Sequence, residues 1–183
     1  MHGREYRSHK GKWKGSRQAL SRQAPEGMDH RDWVTSTRTV KIADTVVDMD
    51  ATGSATFFIK SDGSLWFAGN MIALGQSSVP IRIATSVSKV AGGMFHALIL
   101  KQDGSLWTVG YNWHGALGDG TGLDAPTPVR VATSVANIAA GVQFSLFLKT
   151  DGSLWSFGWN HLGQLGDGTT ENRLVPIQVA ADV

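Results

Sequence analysis

The chain has 183 residues, 42% of them hydrophobic, with 22 Gly, 7 Trp and no Cys. That is enough length and apolar content for one domain or a little more, and the absence of cysteine excludes disulfides, thiolate catalysis and Cys-based zinc sites. The formal charge of +2 is unevenly divided: residues 1–41 hold ten Lys or Arg against four acids, a net of +6, which leaves −4 on residues 42–183.

Taken in chain order, residues 1–42 are polar and basic, with isolated Trp13 and Trp33 and no sustained apolar period. They predict a mostly flexible basic arm, and its charge invites a polyanion, so weak nucleic-acid contact through residues 1–41 is expected as a secondary property. The N-terminus lacks the apolar core of a secretory signal, and no apolar run approaches the roughly 20 residues needed to span a bilayer. The expected location is cytoplasmic by default.

From residue 46 the sequence repeats. Residues 87–134 laid over residues 135–182 match at 22 of 48 positions without a gap, and residues 46–86 match with seven residues missing between Gly69 and Pro80. Repeats of this period indicate one supersecondary unit used three times. Within each unit the elements read as short strands. The first is "SKVAG" or "ANIAAG", and the second "HALILK" (His96 to Lys101) or "SLFLK" (Ser145 to Lys149). The pentapeptide "DGSLW" follows at Asp62, Asp103 and Asp151. Asp-Gly between two β-prone runs is a hairpin signal, because both residues tolerate the positive φ of a tight turn. The "LW" then opens a third strand, "LWTVG" or "LWSFG". A fourth follows at "TPVRVA" (Thr127 to Ala132) and "VPIQVA" (Val175 to Ala180). Four strands per 48 residues, nearly continuous in apolar character, is the pattern of a propeller blade, with a solenoid as the lesser alternative.

Several motifs that suggest chemistry are better read as structure. Trp66, Trp107 and Trp155 stand identically after each turn, which predicts the same slot between blades each time rather than a triplicated site. Gly115, Gly118 and Gly120 lack the helix and the Lys-Ser or Lys-Thr of a phosphate loop, so they read as turn formers. "DMDATG" (Asp48 to Gly53) opens like a calcium loop, but Ile59 occupies the position of the bidentate Glu. His96 and His161 have no catalytic or metal-binding companions in sequence. No catalytic residues, metal site or cofactor are expected, and the chain reads as non-enzymatic.

The run "AGGMFHALILKQDGSLWTVGYNWHGALGDGT" and its copy "AAGVQFSLFLKTDGSLWSFGWNHLGQLGDGT" resemble the RCC1 repeat, named for the regulator of chromosome condensation. The likeness covers residues 46–183, as three repeats at 46–86, 87–134 and 135–182. The resemblance implies an all-β fold: a seven-bladed RCC1-like β-propeller, of which this chain supplies three blades and so is expected to be a fragment of a longer protein. It also implies a range of roles, among them guanine-nucleotide exchange on a small GTPase and chromatin association. The first repeat departs from the pattern: "GNMIALGQSS" lacks the Asn-x-x-Gly run and the "DGT" turn. Phe144 also stands where the second repeat has His96.

Residues shared by all copies serve the shared fold, so candidate partner-binding residues are those that differ within otherwise repeated segments. After the Trp strand these are Tyr111, Trp113 and His114 in the second repeat and Trp159, His161 and Leu162 in the third, with Met71 and Ile72 offered by the first. Loop aromatics are frequent anchors of protein interfaces. The expected function is a protein-binding propeller scaffold with variable loops on one face, its partner a protein of unknown identity. Exchange activity on a small GTPase and nucleic-acid or chromatin association through the basic arm are the alternatives.

Overall fold

A single side-chain network explains why each repeat closes a hairpin at its Asp-Gly. Asp103 Oδ1 accepts hydrogen bonds from the Ser105 backbone N–H (2.9 Å) and the Ser105 hydroxyl (2.6 Å), and Trp107 Nε1 donates to Ser105 Oγ (2.8 Å). Asp62, Ser64 and Trp66 repeat the network, as do Asp151, Ser153 and Trp155. Lys60, Lys101 and Lys149 each lie over the neighbouring Trp ring, at 4.4, 4.5 and 4.4 Å from its centroid. The hydrogen bonds from Ser64, Ser105 and Ser153 hold the three Asp carboxyls below the usual carboxylate range. Only the glycine of each turn has positive φ (75° at Gly63 and Gly104, 82° at Gly152). The turn is therefore longer than the two-residue type that Asp-Gly suggests. The aspartate contributes its side chain as an acceptor rather than a left-handed backbone.

The computed structural model describes residues 41–181 except Ile72. The basic arm, with Trp13 and Trp33, therefore falls outside the described residues but for Lys41 and Ile42. The strands are β1 (Val46–Ala51), β2 (Ala55–Lys60), β3 (Leu65–Met71), β4 (Gly75–Ala84), β5 (Val87–Gly92), β6 (His96–Lys101), β7 (Leu106–Gly110), β8 (Ala125–Ala132), β9 (Val135–Ala140), β10 (Phe144–Lys149), β11 (Leu154–Gly158) and β12 (Arg173–Ala180). They form three sheets of four antiparallel strands in sequential order, β1–β4, β5–β8 and β9–β12. One 3-10 turn, Trp113–Gly115, follows β7. These sheets are propeller blades, and the first strands β1, β5 and β9 neighbour one another from blade to blade.

Apolar residues on facing sheets account for the stacking. Phe57, Ile59, Leu65, Phe67 and Met71 of the first blade form one cluster with Val87, Val90, Ala97, Ile99 and Val109 of the second. Leu98, Leu100 and Leu106 of the second form another with Val135, Ile138, Phe147 and Phe157 of the third. Most of these side chains are essentially inaccessible to solvent, each contributing roughly 1.5–3 kcal/mol. Trp107 packs against the first cluster and Trp155 against the second, which is the slot between blades expected for the repeated tryptophan. Backbone bonds fasten the stack: Gly63 O accepts from Val87 N–H and Gly104 O from Val135 N–H, both at 2.9 Å, tying each hairpin turn to the start of the next blade.

Two readings of the first repeat change. Met71 is not a loop residue. The missing seven residues bring β4 directly after a short turn, so Met71 remains in β3, paired with Gly75, with its side chain 2% exposed between the first two blades. Ile72 lies outside the described residues. The "DMDATG" stretch is β1 and the start of its turn, and Asp50 is engaged there, accepting from Gly92 N–H (2.9 Å) of the next blade.

Candidate interaction surface

Gly110 and Gly158 aim the two long loops. Their φ values are 117° and 107°, backbone that residues with a Cβ rarely adopt. An added Cβ would sit 2.6 Å from the carbonyl oxygens of Phe95 and Gln143 respectively. That close approach lets the next residue bond across the hairpin: Tyr111 N–H donates to Phe95 O and Trp159 N–H to Gln143 O, both at 2.9 Å. Each chain leaves its sheet in a fixed direction.

A buried asparagine then organises each loop from inside. Asn112 Nδ2 donates to Asp119 Oδ1 (2.9 Å), and its Oδ1 accepts from Leu117 N–H (2.9 Å). Its own N–H donates to Asp124 Oδ1 (2.8 Å). Asn160 repeats this with Asp167 (3.0 Å), Leu165 (2.9 Å) and Asn172 (2.9 Å). Both asparagines are fully buried. The Thr108 and Ser156 hydroxyls secure the far side by donating to Leu117 O and Leu165 O. Burial alone would raise the Asp167 carboxyl, but hydrogen bonds from Thr169, Arg173 and Asn160 outweigh it and hold the group below the usual carboxylate range. The sequence signals these hubs only through the identical Asn and Asp residues of the two copies.

The loop of the second blade also leans on the third. His96, 1% exposed, bonds through Nε2 to Ser145 Oγ (2.9 Å), and Ser145 Oγ donates to Ala116 O (3.0 Å). Burial pushes the His96 imidazole down to about 4, so it is neutral near pH 7. Gly115 abuts the backbone of Arg173 and Leu174 on β12. His114, at φ 64°, turns its Nδ1 to Asn172 Nδ2 at 3.0 Å.

With the repeated Asn and Leu side chains turned inward, the variable aromatic residues form a continuous row. Ring centroids are 6.1 Å apart for Phe95 and Tyr111, and 6.0 Å for Tyr111 and Trp113. Trp113 stacks on His114 at 5.0 Å and 12°. His114 then approaches Trp159 (6.2 Å) and His161 (6.0 Å), themselves 6.0 Å apart. All five residues expected to bind a partner (Tyr111, Trp113, His114, Trp159 and His161) thus meet across two blades, and Phe95 joins them from the β5–β6 turn. Trp113 is 60% exposed and Leu162, beside the row, 81%. Four carboxylates (Asp119, Asp124, Asp167 and Glu171) belong to these two loops, against the guanidinium of Arg173 at the start of β12, which is paired with Asp167 at 2.6 Å. Among the described residues, no group of three or more His, Cys, Asp or Glu side chains could hold a metal. None of their helices is long and apolar enough to cross a membrane.

The model of the "Regulator of chromosome condensation (RCC1) repeat" matches residues 103–148 and 151–183, and a second model of the same description matches residues 135–164. Residues 103–183 carry RCC1 repeats. Both matches of the first model begin at the Asp of "DGSLW", so residues 103–148 take in β7 and β8 of one blade, all of β9 and most of β10 of the next. The unit of sequence therefore spans the junction between blades and includes the whole loop of the aromatic row.

Solved structures agree on the fold. Human WBSCR16 superposes with a TM-score of 0.66 and 25% identity over 74% of this chain and 39% of its own. Prp20p of Saccharomyces cerevisiae, the yeast RCC1, gives a TM-score of 0.67 and 21% identity over 74% of this chain and 38% of its own. The chain spans about two fifths of the length of these relatives. No curated protein sequence matches it.

Proposed function

We propose that this chain is a protein-binding RCC1-repeat module whose partner docks on the loop face of the second and third blades. One observation carries the reading: the identical Asn, Leu, Asp and Thr residues of the two long loops hydrogen-bond or pack within them, while Tyr111, Trp113, His114, Trp159 and His161, which differ between the copies, lie together as an aromatic row in which Trp113 and His161 are exposed and the others half-buried. Rigid, preorganised aromatic side chains lose little freedom on binding and supply large contact area. RCC1-repeat proteins offer a precedent: a crystal structure of yeast RCC1 has Kap60 bound, and Prp20p has been described with binding properties to Gsp1p and histones. Guanine-nucleotide exchange would be one form of such binding, and the row does not favour it over others.

The test is a partner's affinity for the chain with Trp113→Ala and His161→Ala combined. The double variant should weaken binding by about 2 kcal/mol, roughly thirtyfold, if either residue is an anchor. Unchanged affinity, with the fold intact by circular dichroism, would show the row to be drift in solvated loops.

A further inference from the structure

The chemistry around the aromatic row narrows the partner. Trp113 stacks its indole on His114, meets Tyr111 edge-on, and still remains 60% exposed. An exposed indole face attracts cations, and arginine most of all, since a guanidinium can stack flat on it while pointing its N–H groups sideways at acceptors. Acceptors are present. Asp124 is exposed, and of its two carboxylate oxygens Oδ1 takes the Asn112 N–H. Glu171 is exposed next to Asn172, whose side chain holds His114. The two loops hold no Lys or Arg, and Arg173, which opens β12 at the end of the second loop, is paired with Asp167. Lys60, Lys101 and Lys149 instead sit at the hairpins on the other ends of the strands, each over its own Trp ring. The loop face thus combines an open aromatic platform with excess negative charge.

We infer that the loop face takes a cationic segment of its partner, with an arginine side chain stacked on Trp113 and directed to the carboxylates of Asp124 and Glu171. The inference rests on the reading of the aromatic row as the docking surface and adds the chemistry of what docks. Charge complementarity of this kind sets partner choice and on-rate more than affinity, so binding should weaken with salt.

The full chain would be titrated with a fluorescein-labelled dodecapeptide of alternating Gly and Arg, read by fluorescence anisotropy. Counterparts would carry Gly with citrulline and Gly with Glu. The arginine peptide should bind at about 50 mM salt, where electrostatic attraction is weakly screened, and the other two should not. Trp113→Ala, and separately Asp124→Asn with Glu171→Gln, should each weaken the arginine peptide about fivefold or more. Asp48→Asn, on a first strand away from the loops, should leave it unchanged. Equal binding of the citrulline or Glu peptide, or indifference to Trp113→Ala, overturns the inference. Peptides selected on the chain from an unbiased library separate the two levels. Binders that need Trp113 but carry no Arg or Lys overturn the cationic partner and leave the docking surface standing. Binders indifferent to Trp113, His114 and His161 overturn both.

Discussion

Replacing His96 by Phe should make the protein less stable than, or equal to, the parent at pH 7.5 and more stable than it at pH 4.5. Ser145 Oγ has one proton and donates it to Ala116 O, so the His96 ring must be the donor in the 2.9 Å contact, with its proton on Nε2. A second proton would place a charge in a site 1% exposed, and burial accordingly depresses the group from its ordinary 6.5 to about 4. A depressed histidine binds its proton in the unfolded chain first. Its contribution is therefore complete above pH 6.5 and is lost as pH falls toward 4. At 1.36 kcal/mol per pH unit, the parent should lose about 2–3 kcal/mol between pH 7.5 and 4.5 through this group alone. The third repeat already holds Phe144 at the matching position, packed over Gly141 as His96 is over Gly93. The Ser145 hydroxyl keeps its acceptor in the variant, so the cost at pH 7.5 should be about 1 kcal/mol or less. Urea unfolding followed by tryptophan fluorescence at the two pH values measures both numbers. Equal losses in parent and variant would refute the argument, because acidification would then act through other groups.

Three further outcomes follow from the same geometry. Trp107→Ala removes an indole between the first two blades together with its Ser105 bond and the Lys101 contact, and should cost about 3 kcal/mol or more in urea unfolding. Loss of partner binding at unchanged stability would instead make the repeated tryptophan a site. Gly110→Ala drives a Cβ to 2.6 Å from Phe95 O at φ 117°, so it should destabilise by more than about 2 kcal/mol; a neutral result would contradict the aiming role given to this glycine. Deleting residues 1–41, with their net charge of +6, should abolish retention on DNA at about 50 mM salt, and retention unchanged by the deletion would clear the arm of that role.

The strands were legible because period and turn chemistry agree: "HALILK", "LWTVG" and "LWSFG" are β6, β7 and β11 residue for residue. The repeated Trp was legible as structure because identity across copies marks shared need. What supports it was not, since the Asp–Ser–Trp bonds of the hairpin depend on a turn longer than Asp-Gly implies. Met71 was misplaced because a gap in an alignment does not say whether the residue before it ends a strand or begins a loop. Asn112 and Asn160 are less legible for a related reason: they are identical in the second and third repeats only, and their role in holding the loops lies in buried hydrogen bonds that sequence identity alone does not show. The left-handed backbone of His114 sits beside Gly115, whose backbone abuts β12 of the next blade, a contact between repeats that one repeat's sequence does not carry.

The location of the partner surface is open to direct measurement by site-specific photocrosslinking. A benzophenone side chain at Leu162, beside the aromatic row and 81% exposed, would be compared with one at Gln102, in the exposed hairpin turn at the other end of the strands. Protein binding on the loop face predicts partner adducts from position 162 that disappear with Trp113→Ala, and none from position 102. Adducts from position 102 alone would place the partner on the opposite face and contradict the account.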